Sequence, residues 1–206
     1  MRRRMIHQLL AGMILGMTMG SALAQTVLRE PYLTQSFRTG ENQDAARLKQ
    51  DQTQQECSKY RNQPPPAVAA AIVERERKNI VYPADGKLMG DWKTGEKYAR
   101  MGFAARIGVL EPDKSDADRG GNCYACHAID AKEIAAGNLG VTLRDYGRRR
   151  GMQPEAVRYT YEKIYNAQAF NPCSNMPRLG YHGILSPEKV AHITAYLLDP
   201  ESPVNK

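Results

Sequence analysis

A run of five residues, Cys123-Tyr124-Ala125-Cys126-His127, constrains this chain more than any other feature of its sequence. Two thiols three positions apart reach neighbouring points of a flat partner from a single helical turn, and the imidazole that follows is carried beneath it. This is the attachment signature of c-type haem: Cys123 and Cys126 add to the two vinyl groups, and His127 becomes an axial ligand of the iron. Other uses of two close cysteines need surroundings that are missing here. A thioredoxin-like dithiol belongs in an alternating strand and helix pattern, and a structural zinc site needs a second ligand pair. The sequence therefore predicts one covalently bound haem c.

The N-terminus is built for export to a compartment that tolerates disulfides and, in bacteria, hosts covalent haem attachment. Arg2, Arg3 and Arg4 form a basic region, residues 9–20 are a short uncharged apolar run, and Ser21-Ala22-Leu23-Ala24 offers a small-x-small cleavage site. The run is shorter than the roughly 20 residues that cross a bilayer as a helix. Cleavage is expected after Ala24, giving a soluble periplasmic product. Removing the three arginines lowers the formal charge of +7 by three, to +4. The remaining basic residues alternate with acids, as in Glu74-Arg75-Glu76-Arg77-Lys78, the pattern of a solvated helix face and not of a nucleic-acid-binding stripe.

Beyond the signal peptide at 1–24, the chain divides into an extension at 25–89 and a haem domain at 90–206. Up to about residue 63 the extension is polar, with helical potential at 44–60, and cannot form a core of its own. Pro64-Pro65-Pro66 breaks it, and Pro66 suits the first turn of a helix that stops before Tyr82-Pro83. The extension reads as a partly helical segment that wraps the core or a partner. In the haem domain three amphipathic helices are expected. The first covers 94–105, with Tyr98, Met101 and Ala105 on its inner face. The second opens at Pro154 and carries Val157, Tyr161, Ile164 and Tyr165 on one stripe. The third has Ser186 as N-cap, Val190, Ile193 and Leu197 inward, and Asp199-Pro200 as its stop. Strand signals are nearly absent; residues 111–122 and 171–184 read as loops. Tyr159, Tyr161 and Tyr165 are read as packing and not as an electron relay. Arg148-Arg149-Arg150 reads as a solvated loop, with partner steering or pairing to a haem propionate as its alternatives.

A low-spin electron-transfer haem needs a sixth ligand, and a thioether stabilises the ferrous state. Met176 is the candidate: it follows His127 by 49 residues and sits in Asn175-Met176-Pro177, a polar loop where a methionine is poor core filler. His182 and then Met152 are the competitors. Two cysteines remain, Cys57 in the extension and Cys173 three residues before Met176. In an oxidising compartment an intramolecular disulfide between them is expected, tying the extension to the Met176 loop. A bridge to a partner chain and a pair of buried thiols are the rivals.

These residues carry a family resemblance. Over residues 90–199 the sequence resembles a class I cytochrome c: Gly90-Asp91 and Gly95-Glu96-Lys97 open the first helix, Cys-x-x-Cys-His and a Met-Pro loop follow, and Ser-Pro-Glu-Lys with Ala-Tyr-Leu marks the last helix. More narrowly it is similar to the SoxX family. That resemblance rests on Gly121-Asn122-Cys123, on Leu143-Arg144-Asp145-Tyr146-Gly147 with the following Arg-Arg-Arg-Gly, and on Tyr165-Asn166-Ala167 through Asn175-Met176-Pro177. Two departures accompany it. Val141 stands where class I cytochromes usually place a proline whose carbonyl orients the proximal histidine, a carbonyl that valine still offers. Gly95 and Cys123 are 28 apart, which leaves 101–118 as an insertion.

The resemblance implies an all-α class I cytochrome c fold with a long N-terminal extension. It also implies the role of haem electron-transfer subunit of SoxAX, an L-cysteine S-thiosulfotransferase. The expected partners are SoxA, which would carry the reacting cysteine in a heterodimer, the SoxYZ carrier, and a soluble cytochrome c as electron acceptor. No catalytic residue is expected on this chain. The opposing expectation is a freestanding monohaem electron carrier. A peroxidase or gas sensor would want an open sixth position, against which Met176 argues.

Overall fold

The computed structural model describes residues 35–37, 45–102 and 119–206. The expected signal peptide at 1–24, and all but the first two residues of the insertion at 101–118, lie outside the described residues. Among the described residues the chain is helical and has no strand, as expected. Residues 35–37 and 45–49 belong to one unit, in which Ala45–Leu48 make a 3-10 turn. The described residues from 50 onward make the other. Its helices are α1 (Gln52–Lys59), α2 (Pro66–Lys78), α3 (Trp92–Arg100), α4 (Tyr146–Arg150), α5 (Pro154–Tyr165) and α6 (Pro187–Leu198).

Local chemistry sets the helix ends. The Asp51 carboxylate accepts from the Gln54 N–H at 2.9 Å while the Gln54 side chain accepts from the Asp51 N–H at 2.9 Å, a reciprocal cap on α1. Asp91 caps α3 through the Thr94 N–H at 2.7 Å, and Ser186 caps α6 through the Lys189 N–H at 3.4 Å. Pro66, Pro154 and Pro187 occupy the first turns of α2, α5 and α6, where a missing N–H forfeits no helical bond. The second and third expected helices of the haem domain start where their signals stand. The first stops at Arg100 and not at 105, because Met101 turns into extended backbone with φ −64° and ψ 129°.

The core is organised by α3 crossing α6. Of the expected inner face of α3, Tyr98 does pack against the core, with its ring centre 6.3 Å from that of His192 on α6, but the closest approach is made at Gly95. Gly95 and Ala99 are buried, Tyr98 is half-buried, Met101 lies beyond the helix, and Ala105 is outside the described residues. The reason is steric. A Cβ placed on Gly95 would stand 1.9 Å from the His192 carbonyl oxygen and 2.9 Å from the Tyr196 Cβ, so the two backbones nearly touch and only hydrogen fits between them. Helices with ordinary side chains at their contact stay roughly 8–10 Å apart. The strand of chain entering α3 is tied to α6 as well: Gly90 N–H donates to the Ala191 carbonyl at 3.0 Å and Asp91 N–H to His192 Nδ1 at 2.8 Å. Around the crossing, Tyr161 and Ile164 of α5 meet Val190, Ile193 and Tyr196 of α6 in one apolar cluster.

Residues 50–89 pack in the same unit as the haem core. Cys57 of α1 is joined to Cys173 by a disulfide, and the pair forms a small second cluster with Ile72 of α2. Closing a 116-residue loop in this way stabilises by about 4–5 kcal/mol on the chain-entropy account. The alternating charges of α2 do not all face water as the sequence pattern suggests. Glu74 and Lys78 pair in solvent, but Glu76 is 1% exposed. Its carboxylate meets Arg178 and Asn166 of the core and Thr53 of α1. A buried carboxylate survives only when its oxygens are filled by donors, and tertiary packing supplies three.

Replacing Gly95 with valine is expected to cost about 3 kcal/mol or more by overpacking the crossing, read from denaturant unfolding of the holoprotein. Alkylating the denatured, unreduced holoprotein is expected to add no alkyl group at a monomeric mass, and one or more groups would contradict the disulfide.

Candidate haem site

The Cys-x-x-Cys-His run is a single tight turn. Asn122, with φ +46°, leads into a 3-10 turn at Cys123–Ala125, and the Cys123 carbonyl accepts from the N–H groups of Cys126 at 3.2 Å and His127 at 2.9 Å. The turn is anchored on the end of α3, since Gly121 N–H donates to the Tyr98 carbonyl at 2.9 Å and Asn122 N–H to that of Met101 at 2.8 Å. Tyr124, between the two cysteines, is buried with its hydroxyl bonded to that of Tyr196 on α6, and the Arg100 guanidinium lies 4.3 Å from its ring centre. Burial pushes the Cys123 thiol up to about 12. That is the opposite of the lowered values that make redox dithiols nucleophilic at neutral pH.

The segment at 137–143 folds back over this turn. Gly140 N–H donates to the Cys126 carbonyl and Leu143 N–H to that of Ala128, at 2.8 and 2.7 Å. A Cβ on Gly140 would stand 2.2 Å from His127 Cε1, so the bare backbone lies against the imidazole. Next to it the Val141 carbonyl accepts from His127 Nδ1 at 2.7 Å. A carbonyl only accepts, so the proton sits on Nδ1 and the Nε2 lone pair is left to bind metal. Valine thus supplies the orienting carbonyl expected from the proline of related sequences.

Cys123, His127 and Met176 line one cleft, with about 760 Å³ of empty space counting its mouth. Its walls are largely apolar, from Ile129, Leu143, Ile164, Leu179 and Leu197, and two cations, Arg150 and Lys163, are also among the lining residues. Donors and walls fit a haem: a thiol in position to be alkylated, an oriented imidazole, a thioether, hydrocarbon contact for the ring, and cations suited to carboxylate groups at its edge. Cys126 is half-buried in the same turn. Neither His182 nor Met152, the competitors for the sixth position, is among the lining residues, and both are exposed. Bound there, the haem would supply one-electron exchange between ferric and ferrous iron.

The sequence reading did not separate three residues the structure distinguishes. The arginine run at 148–150 is helical, within α4, and each member has its own task. Arg148 pairs with Asp145 at 3.3 Å, and Arg149 donates to the carbonyls of Thr142 and Arg144 at 3.0 and 2.8 Å. Arg150 lies over the rings of Tyr146 and Tyr159 and faces the cleft. Tyr161 is fully buried, donates to the Val81 carbonyl at 2.7 Å and stacks between Tyr82 and Tyr165. Burial pushes its phenol well above the ordinary range. With a neutral carbonyl as the partner of its proton, it has no base to take that proton on oxidation, which supports packing as its role.

Residues 117–199 match the family described as cytochrome c. A protein of Aquifex aeolicus (strain VF5), described as an uncharacterized lipoprotein, is 46% identical over 160 residues, covering 76% of this chain and 73% of the relative. With Met176 as sixth ligand, Met176→Ala is expected to keep its haem covalently bound and to lose the sulfur-to-iron charge-transfer band of the ferric protein. An unchanged spectrum would shift the assignment to His182.

Proposed function

We propose that this chain, whose residues 117–199 match the cytochrome c family, is a class I cytochrome c with covalently bound haem c that works in the periplasm as the electron-exit subunit of a SoxAX-type complex. In that role it takes the electrons released when thiosulfate is joined oxidatively to a cysteine of the SoxY arm of SoxYZ. The reacting cysteine belongs to the partner SoxA, and this chain passes the electrons on to a soluble cytochrome c. The observation that carries an electron-only role is the pairing of His127 and Met176 in one cleft. An iron held by both would have no position left for substrate, so the protein's contribution would be ligation, burial and a docking surface.

The narrower assignment is supported by residues 143–177, whose sequence resembles SoxX and which here contribute many of the residues that line the cleft. Leu143, Tyr146, Arg150, Tyr159 and Lys163 all line the cleft. Export is supported by the basic and apolar N-terminus and by the description of the Aquifex relative as a lipoprotein. No helix among the described residues is long and apolar enough to cross a membrane. One observation favours the freestanding carrier: α1 and α2 are bonded to their own haem domain through Cys57–Cys173 and Glu76, so that part of the extension is already occupied within the chain.

Purified from its native source, the protein is expected to carry a second c-type haem polypeptide, and its haem is expected to be reduced by thiosulfate only when the sulfur-carrier protein is added. A monomer whose haem ignores thiosulfate and carrier together would establish the freestanding reading.

A further inference from the structure

We propose that Glu76 is a positioning residue for the Met176 thioether, acting through Arg178, and that α1 and α2 together clamp the loop that presents this ligand. The proposal deepens the axial assignment and rests on Met176 being the sixth ligand.

The loop is held at both ends by the same helix pair. Three residues before Met176, Cys173 is buried and bonded to Cys57 of α1. Two residues after it, Arg178 is 3% exposed and both terminal nitrogens of its guanidinium donate to the extension. Arg178 Nη1 donates to both Glu76 carboxylate oxygens, at 3.1 and 3.2 Å, and Nη2 donates to the carboxylate of Asp51, the residue that caps α1. Glu76 is fixed in turn by Asn166 Nδ2 at 2.7 Å, just past α5, and by the Thr53 hydroxyl of α1. Between the anchors, the Met176 N–H donates to Ser174 Oγ at 3.2 Å, and Gln168 Nε2 donates to the Ser174 carbonyl at 3.3 Å.

A buried ion pair of this kind adds little net stability, because desolvating the two groups offsets most of their attraction. What it fixes is geometry, since a guanidinium fork accepts few orientations. A thioether is a neutral, weak donor whose hold on iron competes with the conformational freedom of its loop. Fixing both ends of a short segment removes most of that freedom in advance. The disulfide fixes one end covalently, and Glu76 fixes the other through charge-assisted hydrogen bonds.

The test is imidazole binding to the folded ferric holoprotein, because imidazole enters only when the thioether is off the iron. Its apparent affinity therefore reports the fraction of open loop. Glu76→Gln keeps the shape and removes the charge. It is expected to raise imidazole affinity by about tenfold or more and to weaken the sulfur-to-iron band, with haem still covalently bound. Two controls are expected to titrate like the unmodified protein: Glu74→Gln, which alters an exposed pair with Lys78, and Ser202→Ala, which removes a buried hydrogen bond to the Tyr196 carbonyl. Should Glu76→Gln fail to accumulate as holoprotein, Arg178→Lys, which keeps the charge and loses the fork, gives the same decision. Met176→Ala separates the two readings. If it binds imidazole tightly while Glu76→Gln titrates like the unmodified protein, the ligand assignment stands and the clamp falls. If Met176→Ala itself leaves band and affinity unchanged, the ligand assignment fails and the clamp falls with it.

Discussion

Everything in the haem domain hangs on the contact of α3 with α6 at Gly95. The two backbones approach so closely that one missing Cβ decides whether they cross at all. Once they do, the end of α3 becomes a fixed platform. The carbonyls of Tyr98 and Met101 hold Gly121 and Asn122, and the cysteine turn starts one residue later. Tyr124 then reaches back to Tyr196 on the other helix of the crossing. The attachment turn is thus registered against both crossing helices before any cofactor chemistry is considered, and the apolar wall contributed by α6 faces the same cleft.

The two faces of that cleft are secured in different ways. The restraints on the His127 ring itself are local: Val141 orients His127 across 14 residues, and Gly140 closes on Cys126 across the same distance. On the methionine side the restraints come from far along the chain, with Cys57 bound to Cys173 over 116 residues and Glu76 bound to Arg178 over 102. A local turn forms with little loss of chain entropy, whereas a long-range tether depends on the whole fold being in place. The histidine side therefore has a geometry the turn itself supports. The methionine side owes its geometry to a segment that a minimal haem domain does without.

This arrangement also gives the extension a physical role. Residues 50–78 bury few apolar groups, Cys57 and Ile72 among them, too few for an independent core. They are held instead by one covalent bond and a saturated buried carboxylate. Polar residues that would be a poor core in isolation become specific anchors once Arg178 and Asn166 are presented to them by the haem domain.

By itself the sequence determined whatever depends on neighbours along the chain. The Cys-x-x-Cys-His run states its cofactor, Ser186 and the prolines at 66, 154 and 187 mark helix starts, and the stripe through Tyr161, Ile164 and Tyr165 states which side of α5 faces inward. The cytochrome c class and its all-helical architecture follow from those signals. What only the tertiary structure decided is what depends on distant groups meeting. Gly95 looked inert beside Tyr98 and Met101 because periodicity weighs large apolar residues, while close helix crossing selects the smallest. Glu76 looked solvated among alternating charges because a helix-face pattern is blind to a guanidinium 102 residues away. Local propensity is written into the chain residue by residue, but burial of a charge or loss of a Cβ is favourable only in the presence of its partner, and the partner's position is a property of the fold.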